Sequence, residues 1–163
     1  MDIFLADDGF RIAGLPLHPL LVHAVVVLTP LTALAVALAA VWPAARRRLG
    51  WAPPIAAAIV AGLVPITVLA GQNLAATVGY TPAILHHEAL GLMLIPWTIA
   101  LLIAAVAAAW WDRTRPRLQR EHPTTARVLG LLVPTAALVA SAGTIIVTVL
   151  TGDAGARIVW GGI

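Results

Sequence analysis

Five histidines supply most of the chemistry this 163-residue chain can offer. Four of them fall in two short elements, Leu15-Pro-Leu-His-Pro-Leu-Leu-Val-His23 and Leu85-His-His-Glu88, each at the start of a long apolar run. The fifth, His122, lies among arginines in a polar connector and reads as solvated. Cysteine is absent, so any metal or cofactor must be held by nitrogen or oxygen. Two imidazoles facing one another across a helix bundle can clamp haem iron axially. The same imidazoles with Glu88 or Asp153 would suit a non-haem zinc, copper or iron ion, although no His-Glu-x-x-His spacing occurs. No nucleophile arrangement, phosphate-cradling glycine loop or GxGxxG segment stands out, so no catalytic residue is assigned.

The elements that must position these groups follow from composition. Hydrophobic residues make up 61% of the chain and charged ones 10%, which is membrane-protein composition. Four apolar runs, about 19–42, 54–78, 83–110 and 126–151, each reach the roughly twenty residues a spanning helix needs. They lack the alternation of barrel strands, and a span in lipid must satisfy its own backbone groups, so helices are expected. The expected fold is all-α: an integral membrane antiparallel four-helix bundle forming a single transmembrane domain over 1–163. Pro30, Pro65, Pro96 and Pro134, one in each span, read as mid-membrane kinks.

Charge sets the expected orientation. All ten basic residues are arginines, and eight stand in two connectors: Arg46, Arg47 and Arg48, then Arg113, Arg115, Arg117, Arg120 and Arg127. The positive-inside rule puts both connectors in the cytoplasm and both termini outside, and Trp42, Trp51, Trp110 and Trp111 flank the connectors as an interfacial belt. A net charge of +3 carried this way reads as an orientation signal, with no nucleic-acid partner. The start, MDIFLADDGFRIAG, lacks the basic region and cleavage site of a signal peptide and is expected to be retained on the outer side.

A weak internal repeat relates the two halves. At an offset of 68, Leu17-His18 meets Leu85-His86, Trp42 meets Trp110 and Arg47 meets Arg115; Gly62 to Pro65 resembles Gly130 to Pro134 at nearly the same spacing. Two helical hairpins related by an axis along the membrane normal would explain it. Pro19 and Pro82 read as first-turn prolines, with His18 and Thr81 in the cap positions. His23 and His86 each stand four residues beyond these prolines, roughly 6 Å deeper and at matching depth. Gln72 and Asn73, near the outer end of the second span, could hydrogen-bond bound imidazoles. In the glycine-rich tail, Asp153 could orient a histidine and Arg157 could pair with a haem propionate.

The opening element resembles the signature of bacterial membrane proteins grouped as domain of unknown function 2231, in which His-Pro-x-x-Val-His starts the first of four spans. The closing Gly152-Asp-Ala-Gly-Ala-Arg-Ile-Val-Trp160 is similar to that family's tail, and His86 or His87 falls where its third span often begins with histidine. This chain departs from the pattern in having Ala24-Val-Val where Phe-Pro-Ile is usual, and Asp153 where the tail often has histidine. Some relatives look as though they are joined to Rieske-type iron–sulfur domains, which implies electron transfer at a bacterial inner membrane. The leading expectation is a bis-histidine haem b electron-transfer subunit serving a redox or membrane-complex partner, an accessory protein more than a stand-alone enzyme. Its axial pair would be His23 with His86 or His87, with His18 as an alternative ligand or propionate contact. The alternatives are a cofactor-free membrane subunit that anchors a partner protein, and a non-haem metal site built from His23, His86, His87, Glu88 and Asp153.

Overall fold

The computed structural model describes residues 11–12 and 14–161; the acidic segment 1–10, with its expected position on the outer side, lies outside the described residues. A minimal ladder comes first, in which β1 (Arg11–Ile12) pairs antiparallel with β2 (Leu15–Pro16). Five helices follow: α1 (Leu17–Val41), α2 (Pro43–Leu49), α3 (Ala52–Val78), α4 (Pro82–Glu121) and α5 (Pro123–Trp160). The helix breaks have a local cause. Trp42, Thr81 and His122 each precede a proline, whose ring disfavours helical backbone in the residue before it, and their ψ angles are 105°, 161° and 71°. Thr81 also caps α4, its hydroxyl accepting from the Ile84 N–H at 3.2 Å.

Helices α1, α3, α4 and α5 are long and apolar enough to cross a membrane. They form a closed ring in which α1 packs on α3, α3 on α4, α4 on α5 and α5 back on α1, leaving α1 and α4 on one diagonal. Each neighbouring pair is antiparallel, so the expected all-α bundle is the observed one. Leu31, Ile59, Ile103 and Leu131 turn outward and leave an apolar mantle suited to lipid. Inside, Ala33, Val36, Ala57, Leu101 and Ala137 pack at one level, and small residues let the backbones approach. Some buried hydroxyls return to carbonyls of their own helix, as Thr144 does to Ala140 at 2.7 Å and Thr148 to Thr144 at 2.7 Å, whereas those of Thr29 and Ser141 have no partner among the described residues.

Two boundaries differ from those expected. Helix α4 runs on through the arginine-rich connector to Glu121, and α5 continues through the glycine-rich tail to Trp160. Charge ends the hydrophobic span without ending the helix, and i,i+4 pairs support the extensions: Arg117 with Glu121 at 2.9 Å, Arg157 with Asp153 at 2.8 Å. The start of α1 differs too. Pro16 is its cap, so His18 lies within the first turn and not before it.

The repeat is present in the fold at a different register. Core positions of α1 recur in α4 at an offset of 69, where Val25, Thr29, Thr32 and Val36 match Leu94, Thr98, Leu101 and Ala105, all buried. In the second helices the offset is 84: Ala57, Val60, Val64 and Ala70 of α3 match Ser141, Thr144, Thr148 and Ala154 of α5. The longer arginine-rich connector accounts for the difference. Consequently His18 corresponds to His87 instead of His86, and Gly62-Leu-Val-Pro65 does not correspond to Gly130 through Pro134. A pseudo-twofold axis along the bundle exchanges α1 with α4 and α3 with α5.

Gly143 of α5 lies against the Trp97 ring so closely that an added Cβ would overlap it, whereas Gly62 faces open space. Gly143→Ala is therefore expected to cost about 1–3 kcal/mol through overpacking. Thermal unfolding in detergent should show the midpoint falling by several degrees, with Gly62→Ala unchanged.

Candidate functional site

At the end of the bundle where α1 and α4 begin, the four long helices part around a cavity of about 390 Å³. Its walls are mostly apolar, with Val22, Val64, Leu94 and Ile158 among them, and its titratable side chains are His18, His23, His87 and Glu88. An apolar pocket with a few convergent polar groups is the usual form of a small-molecule site.

His18 and His87 come from the diagonal helices and meet at the axis. Their ring centroids are 6.1 Å apart and their planes are nearly perpendicular, at 82°. Each ring is held in the same way by the neighbouring helix. His18 Nδ1 is 2.9 Å from the Thr67 carbonyl oxygen on α3, and His87 Nδ1 is 3.0 Å from that of Thr151 on α5. A carbonyl only accepts, so Nδ1 carries a proton in both rings, and Nε2 is the atom that a neutral ring leaves with a lone pair. Among the described residues neither Nε2 has a hydrogen-bond partner.

Glycine makes this contact possible. A helical carbonyl already accepts from the N–H four residues on, and reaching its second lone pair requires passing the side chain of that residue. Here those residues are Gly71 and Gly155. A Cβ on Gly71 would stand 2.8 Å from His18 Cε1, and one on Gly155 would stand 3.0 Å from His87 Cε1. The structure therefore holds one unit twice, a histidine on the first helix of each hairpin and Thr-x-x-Ala-Gly on the second.

The remaining candidates are arranged differently. His23 is exposed at the cavity edge, and its Nδ1 lies 2.6 Å from the Pro19 carbonyl of its own helix. His86 is exposed and does not line the cavity, so it does not face His23 across it. Glu88 lines the wall, its carboxylate accepting from Gln72 Nε2 at 2.8 Å, while Asn73 is exposed. Asp153 and Arg157 pair with each other on the exposed face of α5, and neither lines the cavity. Among the described residues no three histidine or carboxylate groups come together in a way that could hold a metal ion. The ligand set expected for a non-haem metal is thus not assembled.

Sequence reasoning did not single out Thr67, Gly71, Thr151 and Gly155 as partners of the imidazoles. The signal was present: Thr67-Val-Leu-Ala-Gly71 and Thr151-Gly-Asp-Ala-Gly155 share Thr-x-x-Ala-Gly in the second helix of each hairpin.

Over residues 14–162 the chain matches the family described as Predicted membrane protein (DUF2231). No curated protein and no solved structure matches it.

Gly71→Ala should displace the His18 ring and break its bond to Thr67, at about 1 kcal/mol for one hydrogen bond. In a His18→Ala background the same change should cost nothing, because the ring that clashes is gone. Equilibrium unfolding of the two single variants and the double variant should give a coupling of about 1 kcal/mol.

Proposed function

The chain belongs to the DUF2231 family of predicted membrane proteins, and from its paired histidines we propose that it is a membrane electron-transfer subunit holding b-type haem between His18 and His87. The observation that carries this reading is the meeting of two imidazoles across the bundle with both Nε2 atoms unbonded. His18 and His87 would hold the iron through Nε2, the ring nitrogen each leaves unbonded. Their ring centroids are 6.1 Å apart. Porphyrin needs only two ligands from the protein, which fits a site where two histidines converge and a third ligand does not.

The residues divide the work physically. The Thr67 and Thr151 carbonyls, by accepting from Nδ1–H, fix both tautomers and make Nε2 a better donor to a metal. The apolar wall from Val22, Val64 and Leu94 excludes water and lowers the local dielectric, a lever on redox potential. Gln72 fixes the Glu88 carboxylate against the wall, and His23 marks the open, polar edge. When bound, haem would supply one-electron chemistry; the bundle supplies the ligands and their orientation.

The positive-inside rule orients the arginine end toward the cytoplasm of a bacterial inner membrane and the histidine end outward. A redox partner would then dock at the outer side, near the edge marked by His23. Asp153 and Arg157, paired and exposed there on α5, are available to a docking protein and not to a propionate inside the cavity.

Full-length protein produced with haem available and purified in detergent should show a Soret band and a reduced-minus-oxidised difference spectrum. His18→Ala and His87→Ala should each remove bis-histidine ligation while circular dichroism stays helical, and His23→Ala and His86→Ala should keep the wild-type spectrum. Helical wild-type protein with no Soret absorption would overturn the reading in favour of a cofactor-free anchor.

A further inference from the structure

At the end of the bundle opposite the histidines, two arginines line one cavity. Arg46 and Arg115 are 69 residues apart, the spacing that relates His18 to His87, and both line a second cavity of about 220 Å³. We infer that this cavity is a binding site for the phosphate of an anionic phospholipid, with Arg46, Arg115 and Trp111 as its donors.

The first argument is the donor set. Arg46 is already fixed: its Nε donates to the Ala39 carbonyl at 2.7 Å, one terminal nitrogen to Ala40 at 2.8 Å and the other to Asp112 at 3.1 Å. These bonds satisfy the last turn of α1 and leave two of the five guanidinium N–H groups for a further acceptor. Arg115 adds a second guanidinium, with no ion-pair partner among the described residues. Trp111 stands one turn before Arg115 on α4; it is 4% exposed and lines the same cavity. Its indole N–H is donor-only and has no acceptor among the described residues. No carboxylate lines the cavity. Arg46, with Asp112 balancing part of its charge, Arg115 and Trp111 thus line one small space, and forked guanidinium donors suit phosphate oxygens.

The second argument is position. The other walls are apolar, including Val41, Val133 and Pro134, and the cavity lies where the hydrophobic spans give way to arginine-rich helix. Headgroups of a bilayer sit at that level, and basic pockets between helices at this side suit anionic lipid heads. A lipid phosphodiester fits such walls better than free phosphate does, because its acyl chains continue along the apolar mantle.

Native mass spectrometry of the detergent-solubilised full chain tests this with phosphatidylglycerol, phosphatidylcholine and inorganic phosphate as separate probes. One phosphatidylglycerol should bind with about tenfold preference over phosphatidylcholine, as expected for charge-assisted bonds. Arg115→Gln should remove that preference and Trp111→Phe should reduce it, whereas Arg127→Gln, which removes the same charge outside the cavity, should keep it. Phosphatidylglycerol should also raise the unfolding midpoint of wild type and not of Arg115→Gln, a readout that needs no haem. Equal binding of the two lipids would overturn the inference, and so would equal losses in Arg115→Gln and Arg127→Gln, which would mean diffuse attraction. Saturation by inorganic phosphate with no lipid preference would overturn the lipid assignment.

Discussion

In a bundle built almost wholly of apolar side chains, the bond from an imidazole N–H to a helix carbonyl uncovered by glycine organises the histidine end. The carbonyls of Thr67 and Thr151 lie on the second helix of each hairpin, and His18 and His87 reach them from the first. In low dielectric such a bond gains strength, and an imidazole left without it would bury an unpaired donor. It ties α1 to α3 and α4 to α5 where the chain enters the bundle. It also fixes the tautomer of each ring, and with it the atom that is free for chemistry.

Repetition of the hairpin sets two of these bonds beside one another. A single histidine held on a neighbouring helix is an interfacial anchor; two of them exchanged by an axis are brought face to face, because α1 and α4 are the diagonal pair. Whatever lies on such an axis meets like groups from both sides. At one end these are imidazoles whose Nε2 atoms have no partner among the described residues, which suit a metal centre. The opposite end has two arginines lining one cavity, which suit an anion.

Much of the fold was legible in the sequence because the bilayer imposes it. Four apolar runs of sufficient length, separated by arginine clusters and a short turn, admit few arrangements other than an antiparallel bundle, and the histidines are seen to share one end by counting spans. Helix ends were less legible. Arginine marks the edge of the hydrophobic layer, yet Arg113 through Glu121 and Gly152 through Trp160 remain helical because their own hydrogen bonds and ion pairs hold outside lipid as well. Sequence reasoning put His23 first, with His86 or His87 opposite and His18 as an alternative, whereas the two rings that meet are His18 and His87. Matching Leu-His with Leu-His placed the repeat one residue short, and taking Pro19 as the first helical residue placed His18 outside α1, although the helix begins at Leu17. One residue on a helix turns a side chain through about 100°, enough to exchange an inward His87 for an exposed His86.

The central claim is that His18 and His87 together ligate one haem iron with their ring planes crossed. Electron paramagnetic resonance of the purified ferric protein tests it most directly, since it reports both the number of strong axial ligands and the angle between their planes. Rings held at 82° predict a low-spin spectrum with the large g anisotropy of perpendicular imidazoles. A high-spin spectrum, or protein without a ferric haem signal, would contradict the account.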